Sequence, residues 1–258
     1  MMTSSSTTSH GFLLLLVIDV LFVTATASYM APTAATKSQF CDECRPEIFD
    51  ITQPLSRSGL PTWRANISIP DAMRLVLKTN YSSIYLGTHW GTHVDSLGHL
   101  SEFEDDPTVM ADSLSLNTLM GPVLVVEVPP ETNITARYLQ SLNLPKGLKR
   151  VIFKTVNTEK RLAEDKDYFH SNYTGFTGMG AKWLVENTNI SFVGLDYMSV
   201  SICAKSVLHY VHFLFLTNNV IPVEFLKLDG IEPGYYTVYC LHLKVNIDGA
   251  PARCILVR

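Results

Sequence analysis

The stretch Thr88-His89-Trp90-Gly91-Thr92-His93-Val94-Asp95-Ser96-Leu97-Gly98-His99 holds three imidazoles and one carboxylate in a single short run. The whole chain has only eight histidines, so three in one place indicate a shared role. Neutral imidazole and carboxylate are ligands that Zn²⁺ and Mn²⁺ accept. The stretch therefore predicts a metal site rather than the alternative, a set of unrelated surface or core histidines.

The spacing within this stretch can be tested against backbone geometry. In a straight strand, His89 and His93 would be about 13 Å apart at the backbone. Metal–ligand bonds are about 2 Å long, so two imidazoles at that distance cannot share an ion. Gly91 lies between them and allows a bend at little cost. We therefore expect a strand, a bend, and then a loop through Gly98 that brings His99 back over the metal.

This run resembles the H-x-G-T-H-x-D-x-P-x-H signature of the cyclase family of metal-dependent hydrolases. The family includes bacterial-type kynurenine formamidase and isatin hydrolase, and the chain looks most like the plant cyclase family proteins. The resemblance extends from about Ile48 to Arg258. One departure matters, because Leu97 stands where the family has proline and the loop that positions His99 loses a fixed φ.

The resemblance also implies a complete metal centre. In the family, a helix histidine and a later glutamate finish the site, and His212 and Glu224 match those positions. The implied ligands are His89, His93, Asp95, His212 and Glu224. They would hold one or two ions of Zn²⁺ or Mn²⁺, with Asp95 bridging if there are two.

Two further residues receive roles from the resemblance. His99 would be the catalytic residue, a proton shuttle close to the metal but not a primary ligand. Trp63 would lie near the mouth of the site, where it could line an aromatic substrate pocket. Its alternative is simple core packing, which is the commoner role of an aromatic side chain.

The implied function is metal-dependent hydrolysis of an amide bond in a small-molecule substrate. The resemblance suggests an N-formyl aryl amide such as N-formylkynurenine, or a small cyclic amide. The alternative is a secreted binding or regulatory protein on a hydrolase scaffold, which Leu97 favours and His99 disfavours. The resemblance also suggests a homo-oligomer. No basic block indicates nucleic acid as a partner, and neither a serine-hydrolase elbow nor a nucleotide-binding loop is present in the sequence.

Short runs rich in Val, Ile and Tyr alternate loosely with helical segments. This pattern predicts an α/β fold with a mixed sheet in a single domain. The resemblance implies a barrel-like core sheet with flanking helices, in a swivelling β/β/α arrangement. The predicted strands are Leu124–Val128, Val151–Lys154, Phe192–Asp196, Val220–Glu224, Tyr235–Val245 and Cys254–Val257, and the predicted helices are Ala136–Leu142, Ala181–Asn187 and Val207–Leu216.

The N-terminal region differs from the rest of the chain. Residues 1–27 contain a short apolar run followed by Ala25-Thr26-Ala27, which is typical of a secretory signal peptide. The alternative is a disordered leader with an apolar patch. We expect a flexible tail over residues 28–45 and the hydrolase domain over residues 46–258, with no stable membrane span.

Five N-x-S/T sequons stand behind this leader, which favours passage through the ER. We therefore expect an extracellular protein of the apoplast or cell wall, with some of the sequons N-glycosylated. The sequon asparagines are Asn66, Asn80, Asn133, Asn172 and Asn189.

The five cysteines leave alternatives open. Cys41 and Cys44 suggest an exposed tail with a local disulfide. Cys240 and Cys254 lie in two apolar runs joined by a predicted Gly249-Ala250-Pro251 turn, and they could form a disulfide if the runs pair antiparallel. Cys203 would then be a buried thiol.

We expect mainly structural roles for two other polar residues, His209 and Asp196. His209 lies one turn before His212 and is expected to pack, or else to support a metal ligand. Asp196 at the end of a strand is expected to be a turn former.

Overall fold

Seven strands close into a mixed barrel, and an eighth extends it at one edge. The computed structural model describes residues 46–54, 66–68, 83–164 and 170–258, and the chain from Pro46 to Arg258 clusters as one compact unit. The predicted leader, the tail, Trp63 and the Cys41/Cys44 pair lie outside the described residues. The strands are β1 (Ile48–Asp50), β2 (Asn66–Ser68), β3 (Ser83–Tyr85), β4 (His93–Asp95), β5 (Met120–Glu127), β6 (Arg150–Lys154), β7 (Phe192–Leu195), β8 (Ile221–Glu224), β9 (Gly234–His242) and β10 (Gly249–Val257).

The barrel runs in the order β10-β4-β8-β7-β6-β5-β9 and returns to β10. The strands β5, β6, β7 and β8 are parallel to one another, whereas every pairing that involves β4, β9 or β10 is antiparallel. The long strand β10 makes the closure, since its first residues pair with β4 and its later ones with β9 and β1. The α/β class with a mixed, barrel-like sheet is therefore confirmed.

Helices cover the parallel part of the sheet. Among the described residues these are α1 (Leu116–Leu119), α2 (Ala136–Ser141), α3 (Val156–Glu159), α4 (Gly178–Asn187) and α5 (Lys205–Thr217). Thr135 and Thr177 begin α2 and α4 by accepting hydrogen bonds from the backbone N–H three residues later, as N-cap residues do. None of the described helices combines the length and apolarity needed to cross a membrane.

Two apolar clusters form on opposite faces of the sheet. Ile152 belongs to the cluster inside the barrel, whereas its neighbours Val151 and Phe153 pack with the helices. This alternation is the two-residue period of a strand. Because both faces are covered, β6 and β7 are buried almost throughout, as is usual for parallel strands. Strand β9 instead alternates buried and exposed residues, so its outer face meets solvent.

Two details of the C-terminal hairpin differ from the sequence prediction. Gly249-Ala250-Pro251 is not a turn but the start of β10, where these residues pair with β4. The predicted strand Tyr235–Val245 ends at His242, and the chain reverses between His242 and Gly249. Small residues at this point leave room for a neighbouring side chain, because a Cβ on Gly249 would lie 2.5 Å from the His89 ring.

The strand register explains the pairing of two of the cysteines. Cys240 and Cys254 are direct cross-strand partners in β9 and β10 and form a buried disulfide. Cys203 is a free thiol in the loop before α5. The prediction of a buried thiol is wrong for Cys203, because this loop lies at the surface and the residue is exposed.

Candidate metal centre

Strand register brings the first group of polar side chains together. β4 and β8 pair antiparallel with His93 directly opposite Glu224. Side chains two residues apart on a strand share a face, so Asp95 points the same way as His93. The Nε2 atom of His93 lies 3.4 Å from Oε2 of Glu224 and 3.5 Å from Oδ1 of Asp95. All three side chains are almost fully buried.

His212 approaches the same group from helix α5. Its Nδ1 atom lies 2.8 Å from the carbonyl oxygen of Leu208, one turn earlier in the helix. The ring therefore presents Nε2 to the cluster, 3.3 Å from Oε1 of Glu224 and 3.8 Å from Oδ2 of Asp95. Only 7% of the His212 side chain is exposed.

His89 reaches the cluster from the turn before β4. Gly91 bends the chain with a φ of 65°, a left-handed value that glycine adopts freely. The expected bend is therefore present, although His89 stands in a turn rather than in a strand. Its Nδ1 atom lies 3.0 Å from Oδ1 of Asp95, and its ring packs edge-on to that of His93 at 4.9 Å.

His99 completes the group from a 3-10 helix, Leu97–His99, that follows β4. Its ring centre lies 4.1 Å from that of His89 and 5.7 Å from that of His212. About a third of its side chain is exposed, so it faces both the cluster and solvent. The backbone N–H of His99 donates to Ser96 and that of Leu100 donates to Leu97. These bonds hold the loop in place without the family proline.

The donor atoms fit a divalent metal ion. Bonds of about 2 Å place neighbouring ligand atoms of one ion roughly 3–3.5 Å apart, which is close to the observed separations of 3.0–3.8 Å. The Nε2 atom of His93 and both carboxylate oxygens of Asp95 are buried without hydrogen-bond geometry to any partner. Buried polar atoms are normally satisfied, so their convergence points to an ion as the shared partner.

Two three-residue groups with metal-ligand spacing can be drawn through this cluster, and they share one carboxylate. His93 and Glu224 form one group with Asp95, and His89 and His99 form the other. The arrangement would suit Asp95 as a bridge between two ions. In this arrangement His99 also lies close enough to His89 and Asp95 to contact an ion, which a proton shuttle need not do.

The charges of the cluster shift the ionisation of its members. Burial alone would lower the pKa of His93, but Asp95 and Glu224 beside it raise the pKa to about 10. Burial is likewise outweighed at His212, where Glu224 and Asp95 raise the pKa to about 9. Despite its burial, the neighbouring His89 and His93 hold the pKa of Asp95 well below its ordinary value. For His99, burial is the main influence and lowers the pKa.

The backbone on the far side of Glu224 is under strain. Phe225 has a φ of 56°, a left-handed value that is unusual for a bulky residue. The carbonyl of Phe225 accepts a hydrogen bond of 2.6 Å from the Thr92 hydroxyl, and its N–H donates to Tyr197. A further bond of 2.8 Å, from the backbone N–H of Val200, fixes Oε1 of Glu224. No pattern in the sequence predicts the left-handed backbone at Phe225 or the hydrogen bond that fixes Glu224.

The remaining candidates fall outside the cluster. His209 lies on the exposed side of α5, where it stacks on Phe213 and faces Glu102 at 3.4 Å. Asp196 is buried and accepts hydrogen bonds from the N–H groups of Thr155 and Thr158, so it caps α3. Its role is structural, as expected, although the bonds stabilise a helix start rather than a turn.

One residue of the centre carried no motif in the sequence. Asp248 precedes β10, and its Oδ2 atom lies 2.7 Å from Nε2 of His89 and 3.6 Å from Nδ1 of His99. Its backbone carbonyl accepts hydrogen bonds from both the N–H and the hydroxyl of Ser96. An aspartate before a glycine usually indicates a turn, so only the closure of the barrel reveals this contact.

The chain is similar to known proteins of one family. The family model described as "Putative cyclase" matches residues 49–201. Cyclase-like protein 3 of Arabidopsis thaliana is 42% identical over 82% of this chain and 80% of its own length. Cyclase-like protein 2 of the same plant is 40% identical over 95% of this chain and 96% of its own. A kynurenine formamidase of Salinibacter ruber is 28% identical over 76% of this chain and 85% of its own length.

Solved structures share the architecture. A potential metal-dependent hydrolase with cyclase activity superposes with a TM-score of 0.66 and 25% identity, over 83% of this chain and all of that one. Isatin hydrolase A of Labrenzia aggregata superposes with a TM-score of 0.69 at 19% identity, over 82% of this chain and 93% of that one. The fold is therefore that of the cyclase-like hydrolases. The chain itself belongs to the cyclase family, since the family model and the plant relatives both match most of the domain.

Proposed function

We propose that this protein is a divalent-metal-dependent hydrolase of amide bonds, similar to arylformamidases. The observation that carries the proposal is the buried convergence of His93, Asp95, His212 and Glu224, in which Nε2 of His93 and both carboxylate oxygens of Asp95 have no hydrogen-bond partner. The kynurenine formamidase relatives support amide hydrolysis as the reaction class. His89 completes the proposed ligand set.

An ion bound in this cluster would polarise a substrate carbonyl and lower the pKa of a water molecule. The residues of the chain prepare that site. Hydrogen bonds from Nδ1 of His93 to the Gly91 carbonyl and from Nδ1 of His212 to the Leu208 carbonyl leave each Nε2 facing the cluster, where loss of its proton would free a lone pair for the ion. The two carboxylates supply the negative charge that retains a divalent cation.

His99 is the proposed proton carrier. Its imidazole lies beside the ligand cluster with one side exposed to solvent, where a substrate would enter. Burial lowers its pKa, so the ring is neutral near pH 7 and can take a proton from the attacking water at a ring nitrogen. It can return that proton to the departing nitrogen of the amide, which is the work of a general acid.

The proposed substrate is an N-formyl aryl amide such as N-formylkynurenine, with small cyclic amides as a second class. The test is hydrolysis of both classes by the purified chain after loading with Zn²⁺ or Mn²⁺. We expect turnover of a formyl aryl amide, and we expect Asp95→Asn to lose both the metal and the activity. A fully loaded protein that cleaves neither class would contradict the proposal.

The second candidate function is a secreted binding or regulatory protein that keeps the metal for structure. Leu97 in place of the family proline favours it. The hydrogen bonds that fix His99 in the 3-10 helix favour the enzyme instead, because a structural metal has no use for a positioned proton carrier. Tight binding of a formyl aryl amide without turnover would support this second candidate.

We also propose that the chain enters the ER and leaves the cell. The asparagines of three described sequons, Asn133, Asn172 and Asn189, are exposed, which suits glycan attachment. The buried Cys240–Cys254 disulfide suits an oxidising compartment. Protein secreted from plant cells should lose mass on treatment with an N-glycosidase, and an unchanged mass would argue against glycosylation.

A further inference from the structure

Asp248 joins three separate parts of the metal centre. Its Oδ1 atom accepts a hydrogen bond of 3.1 Å from the hydroxyl of Thr88, and its Oδ2 atom lies 2.7 Å from Nε2 of His89. The same Oδ2 atom lies 3.6 Å from Nδ1 of His99. Its backbone carbonyl receives two hydrogen bonds from Ser96, directly after β4. Its carboxylate therefore meets both imidazoles at the solvent side of the cluster.

The contact decides which nitrogen His89 presents to the cluster. His93 and His212 have Nδ1 occupied by a backbone carbonyl and therefore present Nε2. In His89 the order is reversed, because Nε2 faces Asp248 and Nδ1 lies 3.0 Å from Oδ1 of Asp95. A histidine that binds a metal commonly uses its other ring N–H to hold its orientation, and a carboxylate is a strong acceptor for that purpose.

The surroundings of His89 leave its ring little freedom. The Gly249 backbone passes beneath it, close enough that a Cβ there would clash at 2.5 Å. The ring of His99 lies 4.1 Å away on another side. About a quarter of the His89 side chain is nevertheless exposed, more than for any other proposed ligand. Packing confines the position of the ring, and the contact with Asp248 then selects which of its two nitrogens faces the cluster.

We propose that Asp248 is a positioning residue of the metal centre, which holds Nε2 of His89 so that Nδ1 is the atom offered to a divalent ion. This inference rests on the proposed metal site but not on the identity of the substrate. Its consequence is that one partly exposed carboxylate, outside the family signature, tunes how tightly the chain binds its ion.

The test is the affinity of the purified chain for Zn²⁺ and for Mn²⁺, measured by competition with a chelator. Asp248→Ala removes the acceptor, and we expect a loss of roughly 10- to 100-fold in affinity, the range for a removed partner of a metal ligand. Asp248→Asn keeps an oxygen that can accept from Nε2 and should lose less. Asp229→Asn is the matched control, because Asp229 has a similar exposure and its carboxylate pairs with Lys227 rather than with a residue of the cluster.

A second measurement does not depend on any variant. Histidine ¹⁵N NMR of the Zn²⁺-loaded protein should show Nδ1 of His89 as its metal-bound nitrogen and Nε2 as its protonated one. Affinities of Asp248→Ala within twofold of the parent chain, or a His89 bound through Nε2, would overturn the proposal. A protein that binds metal as expected but cleaves no formyl aryl amide would leave this inference standing while removing the proposed substrate.

Discussion

At the scale of single residues, the centre depends on where each imidazole is anchored. His93 and His212 are anchored by backbone carbonyls, which no substitution of another side chain can remove. His89 is anchored by the side chain of Asp248. His99 has only a distant carboxylate at 3.6 Å, so it is the imidazole most free to exchange a proton with a substrate.

This freedom leads to a prediction for His99. Replacing His99 with alanine should lower kcat for a formyl aryl amide by about 10²- to 10⁴-fold, the usual contribution of a general acid or base. The metal content, measured by elemental analysis, should stay the same. His209→Gln is the control, because His209 lies on the outer side of α5 and should keep full activity. Unchanged turnover would remove His99 from the reaction, and lost metal would make it a ligand.

Proton release on metal binding is a second prediction at this scale. His93 and His212 have pKa values raised to about 10 and about 9, so both are protonated in the metal-free chain at pH 8. A bound ion needs both rings deprotonated, so binding should release up to two protons. Affinity should therefore rise with pH between 7 and 9, by up to tenfold per pH unit for each proton.

Calorimetry in buffers of different ionisation enthalpy measures this release directly. Binding without proton release at pH 8, or an affinity that falls as pH rises from 7 to 9, would contradict the assignment of the two imidazoles as ligands.

The sequence predicts the site residues that lie close together in the chain and misses those that meet only after folding. Proposed ligands such as His93 and Asp95 lie in one short stretch, and their spacing alone indicates a metal site. Asp248 and Phe225 act through contacts across the barrel, and the sequence separation of 159 residues between His89 and Asp248 hides their proximity. Nothing local distinguishes such residues from ordinary turn and strand residues.

At the scale of elements, the pairing of β4 with β8 and β10 sets the geometry. β4 has only three residues, yet all are buried and two are proposed ligands. Its pairing with β8 sets His93 against Glu224, and its pairing with β10 sets Asp95 opposite Gly249. A shift by one residue would turn His93 and Asp95 to the other face of the sheet, so the site demands this register.

Gly249 provides a prediction for the β4–β10 pair. Alanine at this position would place a Cβ 2.5 Å from Cε1 of His89, so the ring must move. We expect Gly249→Ala to lower metal affinity by roughly tenfold or more, as displaced metal partners do. The measurement is the same chelator competition.

Gly147→Ala is the control for this variant. Gly147 has a positive φ of 85° and open space around it, so an alanine there strains the backbone without meeting a neighbouring side chain. Gly147→Ala should lower the free energy of unfolding by about 1 kcal/mol and leave metal affinity unchanged. Equal metal affinities for Gly249→Ala and the parent chain would show that the contact with His89 is unimportant.

The elements also show the limits of sequence patterns. The helix that carries His212 and the helix that follows Thr135 were predictable, because apolar spacing and capping residues are local signals. Gly249-Ala250-Pro251 has the composition of a turn, but it begins strand β10. Its small residues let the strand pass beneath the imidazole of His89, and His89 lies far away in the sequence.

At the scale of the whole molecule, closure of the barrel joins the early histidine stretch to the late helix and strand. Strand β10 pairs on one side with β4 and on the other with β9, so the C-terminal hairpin forms part of the wall of the site. The Cys240–Cys254 disulfide lies within this hairpin. A barrel with pairings between distant parts of the chain is expected to fold slowly, because the loops must close before these contacts form.

Replacing Cys240 and Cys254 together with alanine tests the contribution of the hairpin. A loop of this size should give the disulfide about 3 kcal/mol of stabilisation, so the free energy of unfolding in urea should fall by roughly that amount. Cys203→Ala is the control and should change little, because Cys203 is exposed and unpaired with sulfur. Equal unfolding free energies for the double variant and the parent chain would contradict a stabilising disulfide.

The central claim is that the stretch around His93 and the segments bearing His212 and Glu224 enclose a divalent ion. The most direct measurement is anomalous X-ray diffraction at the metal edge, on crystals of the chain loaded with Zn²⁺ or Mn²⁺. We expect a peak about 2 Å from Nε2 of His93 and from a carboxylate oxygen of Asp95. A fully loaded crystal with its only peaks outside this cluster would contradict the claim.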